Sequence, residues 1–442
     1  MGMRGFLYWS AYNDIAKTLR VDAAPGRVLS GDASACGNAL AKASRDAAAD
    51  PALFMLATRQ LIASAHASAT CRVTCADPAW RETSLGFRVR RDGEWLYVTS
   101  ATAEPRLSPG MRVAAVGRER IPELLRDMGA DVLGGRGTDL EDWDLALRMF
   151  DDMDVFTGDG HVERLDLRRY PIPAQDATTV VTEPRAGVAL VRVGSLADPD
   201  ALGAGLAAGT AAIERAAHVI VDLRDCAGDL VPASALAILP ILCDRDVAAR
   251  AVLGDRRVWT IYSRANVERL VALLERAREA APEAARGEAQ GYIDEIRAKG
   301  AAVLKAKRAT LDARERRAAS ELPEVVPSPF GDEIVRVVAP SARVTLLVGP
   351  RTGVGAERLA DAVRGMARVR LVGAQTPGAL DYDTMLTADY PDVGVRLTYP
   401  ISRSDASHEG RGYALTGLPL DVRVPFTPEA CVRDVTLVAA LA

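Results

Sequence analysis

Val219-Ile-Val-Asp-Leu-Arg-Asp-Cys-Ala-Gly-Asp229 opens as an apolar strand broken only by Asp222 and closes in a short polar turn at Gly228. A strand with apolar residues on both faces needs cover on both, as in a sheet flanked by helices. The neighbouring sequence supplies those helices. Residues 188–193 form a short β-run, 199–217 an Ala/Gly-rich helix, and 230–242 a second helix. The alternation resumes with a strand over 343–348, a helix over 355–366 and a strand over 369–372. Apolar strands separated by helices predict an α/β core over 180–255 and 331–442, within a chain that is α+β overall.

The stretch between the halves of that core, 256–330, is dense in Ala, Arg and Glu. Val267, Leu270, Val271 and Leu274 mark one amphipathic stripe, and Ile293, Ile296, Val303, Leu304 and Leu311 a second. Pro282 and Gly287 separate them, and Gly300 argues against an unbroken second helix. The reading is an inserted helical hairpin. Residues 1–79 read as helical, with Leu53, Leu56, Leu61 and Ile62 near helical spacing. From 80 to 170 the pattern is a β module with a following helix. Two β-like runs carrying Phe87, Val89, Trp95, Tyr97 and Val98 are joined at Asp92-Gly93, a hairpin signal. Leu107-Ser-Pro-Gly-Met-Arg-Val-Ala-Ala-Val-Gly117 is a turn and a strand, and residues 121–156 read as helix again, with a loop at Gly134-Gly-Arg-Gly.

Lys plus Arg number 55 against 59 Asp plus Glu, a net charge of −4, so no global positive field is present to hold nucleic acid. Hydrophobic residues at 49% and charged residues at 26% are an ordinary globular balance. At 442 residues, the chain has room for about three domains of roughly 150 residues each. The apolar run Leu230 to Cys243 contains Pro232 and Pro240 and falls short of the ~20 residues of a bilayer span. The expectation is a cytoplasmic chain without membrane contact. Cysteines 36, 71, 75, 226, 243 and 431 are scattered, read as reduced thiols, and form no metal-ligand pattern. Neither a cofactor nor a metal is expected.

Five ordered blocks carry a resemblance to the tail-specific, or C-terminal-processing, serine peptidase family. They are Val188-Ala-Leu-Val-Arg-Val-Gly-Ser-Leu196, the 219–229 stretch, Val344-Thr-Leu-Leu-Val-Gly-Pro-Arg-Thr-Gly-Val-Gly-Ala-Glu357, Val369-Arg-Leu-Val-Gly-Ala-Gln-Thr-Pro-Gly-Ala379 and Gly417-Leu-Pro-Leu-Asp-Val-Arg-Val424. The resemblance implies a ClpP/crotonase-like ββα core. Ser84-Leu-Gly-Phe87 and the 107–117 string are similar to a PDZ-like module, in which backbone N–H groups at Leu85, Gly86 and Phe87 would hold a peptide's terminal carboxylate.

The chemistry does not carry over. A serine nucleophile needs a base and two oxyanion donors. The family's nucleophile position, three before Glu357, holds Val354, and the position of its lysine base holds Ala379. A tricorn-like branch uses Ser-His-Glu instead. Its histidine matches His66 in Leu61-Ile-Ala-Ser-Ala-His-Ala-Ser68, but its glutamate position is Ala414. Asp381-Tyr382-Asp383 favours that branch as ancestor. The oxyanion-type loop corresponds to Gly228 and Gly355, with Asp229 an ill-suited neighbour for an oxyanion.

Outside the matched positions, Cys226 is a candidate nucleophile, although Asp225 and Asp229 flank it. Thr352 is a weaker one. Glu141, Asp142, Asp144, Asp151, Asp152 and Asp154 form an acidic cluster that reads as a solvated face rather than a metal site. Lys299, Lys305, Lys307, Arg308, Arg314, Arg316 and Arg317 read as a solvated face of the second inserted helix.

Three readings follow. The first is a pseudopeptidase that binds a peptide or protein C-terminus. The second is an active serine- or cysteine-type hydrolase with relocated residues. The third is an assembly protein whose 256–330 helices make homo-oligomer contacts. For the first reading the helix over 355–366 is expected to begin beside a cleft, with the Val354 and Ala379 side chains facing one another across it.

Overall fold

The structure, a computed structural model, describes residues 3–25, 51–64, 67–75, 82–128, 138–158, 160–172, 176–309, 320–414 and 416–442. The chain forms two compact units. One joins Met1–Trp80, Arg257–Val326 and Asp381–Arg411, and the other joins Arg81–Arg256, Pro327–Leu380 and Gly412–Ala442.

The larger unit contains the sheet that the sequence announces. Its strand order is Val180–Arg185, Val188–Arg192, His218–Asp222, Arg343–Val348, Val369–Gly373 and Val422–Arg423. The first pair is antiparallel and every later pair parallel. Successive side chains point to opposite faces. Ala189, Val191, Val219, Val221, Val344 and Leu346 pack under the helices Pro199–Arg215, Pro232–Leu242 and Val354–Val363. Val188, Leu190, Ile220, Leu347 and Val372 meet Leu437 and Ala440 of the last helix, Val435–Leu441. Each buried Val, Leu or Ile among them contributes roughly 1.5–3 kcal/mol by leaving water.

The Ala/Gly content of Pro199–Arg215 has a steric cause. A Cβ on Gly205 would lie 2.2 Å from the Thr179 carbonyl oxygen, and one on Gly209 would lie 2.3 Å from Val181 Cβ. Arg224, in the middle of the 219–229 stretch, bonds Asp222 and Asp434 through the same Nη2, 2.7 Å to each. Asp434 in turn caps the last helix through the Leu437 N–H. The carboxyl end of the inner strand His218–Asp222 and the C-terminal helix are thereby tied together.

The same unit holds a second, antiparallel sheet: Phe87–Asp92, Trp95–Ala101, Arg112–Val116, Asp152–Phe156 and Val162–Asp166 in that order, with Glu119–Arg120 beside the third. The hairpin at Asp92-Gly93 forms, with Gly93 at φ +57°. The expected helical run over 121–156 is wrong at its end. Helices cover Ile121–Met128 and Trp143–Leu147, but Asp152–Phe156 is a strand. Met153 and Val155 enter the core there while Asp152 and Asp154 do not, a period of two rather than 3.6. The loop placed at 134–137 lies outside the described residues.

The smaller unit packs the helices Met3–Val21, Pro51–Ser64, Arg264–Ala280 and Glu283–Ala309 with a sheet of Arg72–Cys75, Tyr382–Tyr390, Val395–Ser404, Arg256–Ile261 and Glu321–Val326. The helical hairpin is there, flanked by two strands that the reading of 256–330 as purely helical missed. Gly300 does not break the second helix. A Cβ there would sit 2.8 Å from Val267, so the glycine lets the two helices touch. Leu311, Arg314, Arg316 and Arg317 lie outside the described residues.

Residues 381–411 also depart from expectation. Instead of continuing the α/β core, they form the long hairpin of this second sheet, with Leu397, Tyr399 and Ile401 buried. Among the described residues no helix is long and apolar enough to cross a membrane, and Cys71, Cys75, Cys226, Cys243 and Cys431 are free thiols.

Candidate functional site

Strand Arg343–Val348 leads through Gly349–Gly353 into the helix Val354–Val363, whose N-cap is Gly353. Val354 is the half-buried first residue of that helix. The helix start rests on the backbone of the Cys226–Leu230 turn. Gly353 N–H donates to the Cys226 carbonyl at 2.8 Å and Gly355 N–H to the Gly228 carbonyl at 3.3 Å. A Cβ on Gly355 would lie 2.4 Å from Leu230 N and 2.7 Å from the Asp229 carbonyl carbon, so only glycine fits. Gly228 itself has φ +80°. The structure thus brings together the two positions read as oxyanion donors, but it bonds one to the other. The Gly355 N–H is spent on Gly228's oxygen and does not face an oxyanion.

Glu357, one turn along the helix, was used in the sequence only to count from. It is fully buried. Its carboxylate accepts from Gly378 N–H at 2.6 Å, from Leu380 N–H at 3.1 Å, and from the Ala379 N–H and Thr376 hydroxyl. Thr376 Oγ1 also accepts from Leu418 N–H at 3.0 Å. Burial outweighs these donors and pushes the Glu357 carboxyl up to about 7. A Cβ on Gly378, at φ +71°, would sit 2.1 Å from the Tyr413 carbonyl oxygen, beside Ala414. Ala379 and Ala414 are both buried. The segments bearing the base and glutamate positions therefore converge on the first turn of the helix that begins with Val354. The three positions that the resemblance singles out, Val354, Ala379 and Ala414, carry aliphatic side chains there. The signal for Glu357 was present as an acid amid Gly355, Ala356, Leu359 and Ala360, all buried.

The other candidates fare differently. Cys226 is fully buried in the apolar core, and burial, with a smaller contribution from Asp222, pushes its thiol up to about 12. A thiol so held is not a thiolate nucleophile at neutral pH. We expect Cys226 in the folded protein to resist iodoacetamide and to react at once in denaturant. Stoichiometric labelling of Cys226 in the native state, read by peptide mass, would contradict this. Thr352 is equally buried, donating to the Leu223 carbonyl at 3.1 Å and accepting from Gly349 N–H at 2.9 Å. It closes the loop and is not poised to attack.

His66 lies outside the described residues. The acidic cluster disperses between a helix and a strand: Glu141 pairs with Arg91, Asp144 with Arg148 and Asp154 with Arg164. No metal-binding group of His, Cys, Asp or Glu occurs among the described residues.

In the 84–87 loop, Leu85 and Phe87 enter the module's core. Gly86 sits at φ +74°, where a Cβ would lie 2.7 Å from the Tyr170 ring. Its carbonyl accepts from Thr102, Ala103 and Glu104 N–H groups, and its own N–H is 3.2 Å from Ser84 Oγ. Glu104 pins the loop's far side by accepting from Tyr170 Oη at 2.9 Å and from Arg106, which holds its carboxyl down at about 2. One of the three expected carboxylate donors, Gly86, thus already has a partner. The strand that follows, Phe87–Asp92, is an edge of its sheet.

No family model and no curated protein matches the chain. Solved structures do match. Mature CPAF complexed with lactacystin aligns at TM-score 0.60 and 13% identity, covering 100% of this chain and 98% of its own. Mature CPAF alone aligns at 0.59 and 14% over the same shares. A photosystem II D1 C-terminal processing protease aligns at 0.41 and 13%, over 97% and 94%, too loosely to add weight. CPAF is a member of the tail-specific protease family. At these identities the likeness shows the fold, and it runs end to end.

Proposed function

We propose that this chain, which has the fold of mature CPAF, is a homologue of the tail-specific peptidases that has lost their chemistry and keeps a peptide-binding role. One observation carries the reading. The strand-turn-helix frame is intact around Val354, Ala379 and Ala414, and the Gly355 N–H is bonded to Gly228. None of those three side chains can attack, accept a proton or orient a base, and fold alone confers no activity.

The binding role belongs to the PDZ-like module. A peptide strand would add to the edge Phe87–Asp92, with its terminal carboxylate at the 84–87 loop. Leu85 and Phe87 N–H groups are the donors there, with Gly86 serving through its backbone shape. The five cysteines among the described residues are free thiols, which suits a reducing compartment, and we place the protein in the cytoplasm on that ground. Affinity should be on the order of micromolar, because one added strand buries less than a standard interface. Calorimetry with peptides of apolar C-terminus, free acid against amide, tests this. The acid should bind and the amide should bind at least about tenfold more weakly. Equal binding, or none, would leave the module without a recognition role.

A further inference from the structure

Alternation along the edge strand places Phe87 and Val89 in the core and turns Arg88 and Arg90 to the other face. Arg90 is already engaged. It pairs with the buried Asp139 at 2.5 Å and lies over the Phe426 ring at 4.6 Å. Asp139 is shared with Arg423, 3.3 Å away. Arg351, in the loop just before Val354, is paired with Asp225. Arg88 differs from both. Among the described residues no carboxylate forms an ion pair with it, although it carries a full charge on a strand edge.

Its side chain is exposed, in a field set by nearby charges of both signs. Partial burial pulls the Arg88 guanidinium below its ordinary value, and the like charge of Arg351 adds to the effect. Asp225, Asp144 and Asp142 offset part of it from beyond pairing distance. An exposed cation without a paired carboxylate gains from an anion that arrives with a ligand.

We propose that Arg88 selects an acidic residue second from the C-terminus of the bound peptide. The inference rests on the strand-addition reading above. An added antiparallel strand that sets its last residue opposite Phe87 sets the preceding residue opposite Arg88, and facing side chains in such a pair lie about 5 Å apart at Cβ. The final side chain goes to the apolar face with Phe87, and the one before it goes to the arginine face. The fourth residue from the end would face Arg90, where Asp139 already holds the charge, so the preference is confined to one position.

The test is fluorescence anisotropy of the full chain with three labelled peptides that share an apolar free C-terminus and differ only in their second-last residue: Glu, Gln or Lys. The Glu peptide should bind about three- to tenfold tighter than the Gln peptide, and the Lys peptide should be weakest. The preference should shrink as salt is raised. Arg88→Ala should bring the Glu and Gln peptides to the same affinity, and Arg88→Glu should reverse the order in favour of Lys. If Glu and Gln peptides bind the unmodified chain equally, the role of Arg88 is refuted while strand addition stands. If none of the three binds, both readings fall together.

Discussion

Peptide hydrolysis by the unmodified chain should be indistinguishable from background, and Val354→Ser should leave it there. Loss of nucleophile and base in a serine hydrolase costs roughly a million-fold in kcat, and restoring one of two cooperating groups recovers almost none of it. A serine at 354 would find Ala379 at the base position and a Gly355 N–H bonded to the Gly228 carbonyl. Val354→Ser with Ala379→Lys is the more demanding case, and it too should stay inactive. Ala379 is buried and its own N–H is bonded to Glu357. A lysine there starts beside a carboxylate, and an ion pair holds an ammonium protonated when a base must be neutral. The measurement is turnover of unfolded and C-terminally tagged fluorogenic peptides, alongside labelling with a serine-directed fluorophosphonate. Robust turnover by the unmodified protein would sink the pseudopeptidase reading. If Cys226→Ala then abolished it, the chain would be a cysteine hydrolase.

How far the sequence could be read depended on whether a segment's partners were local. Arg343–Val348 is apolar on both faces because helices cover both, and that shows in the run itself. Asp152–Phe156 alternates acids with Met153 and Val155, yet it follows a stretch that already holds Glu141, Asp142, Asp144 and Asp151, so the composition hid the period. Residues 381–411 were placed in the wrong unit for a different reason. Val395–Ser404 pairs with Arg72–Cys75, more than three hundred residues away, and with Arg256–Ile261. A local pattern predicts a strand but not which sheet receives it.

The site divides along the same line. Val354, Ala379 and Ala414 come from counting within motifs. That Gly355 and Gly228 are hydrogen-bonded to each other does not, because it depends on two loops meeting at backbone contact. Arg88 could be seen only as an exposed charge on a strand until the carboxylates around it were located: Asp225 pairs with Arg351, Asp144 with Arg148, and Asp142 caps a helix through the Leu145 N–H.

Removing Glu357's carboxyl should be the most destabilising single change at the site, and its presence should make stability fall as pH rises. Glu357→Ala strips the acceptor from Thr376, Gly378, Ala379 and Leu380, all held in a buried setting. Unsatisfied buried donors cost about 1–3 kcal/mol each, so even with relaxation the loss should reach about 3 kcal/mol or more. Glu357→Gln keeps the shape but turns an NH2 toward backbone donors, and should cost less. The sign of the pH effect follows from burial being the largest cause. The carboxyl rises from the 4.5 of an unperturbed glutamate to about 7 in the folded chain. Between those values the folded state holds a proton that the unfolded state has released. Folding stability from this group is therefore fully present below about pH 4.5, declines as pH rises toward 7, and is flat beyond, a total of about 3 kcal/mol. Urea unfolding of the unmodified chain and of Glu357→Gln at pH 5, 6, 7 and 8 isolates the effect, because the glutamine cannot titrate. The stability difference between the two should shrink from pH 5 to pH 7 and then level off. A difference that does not change across that range would mean that the carboxyl is ionised throughout. In that case the hydrogen bonds from the 376–380 segment, rather than burial, would govern the charge at the heart of the site.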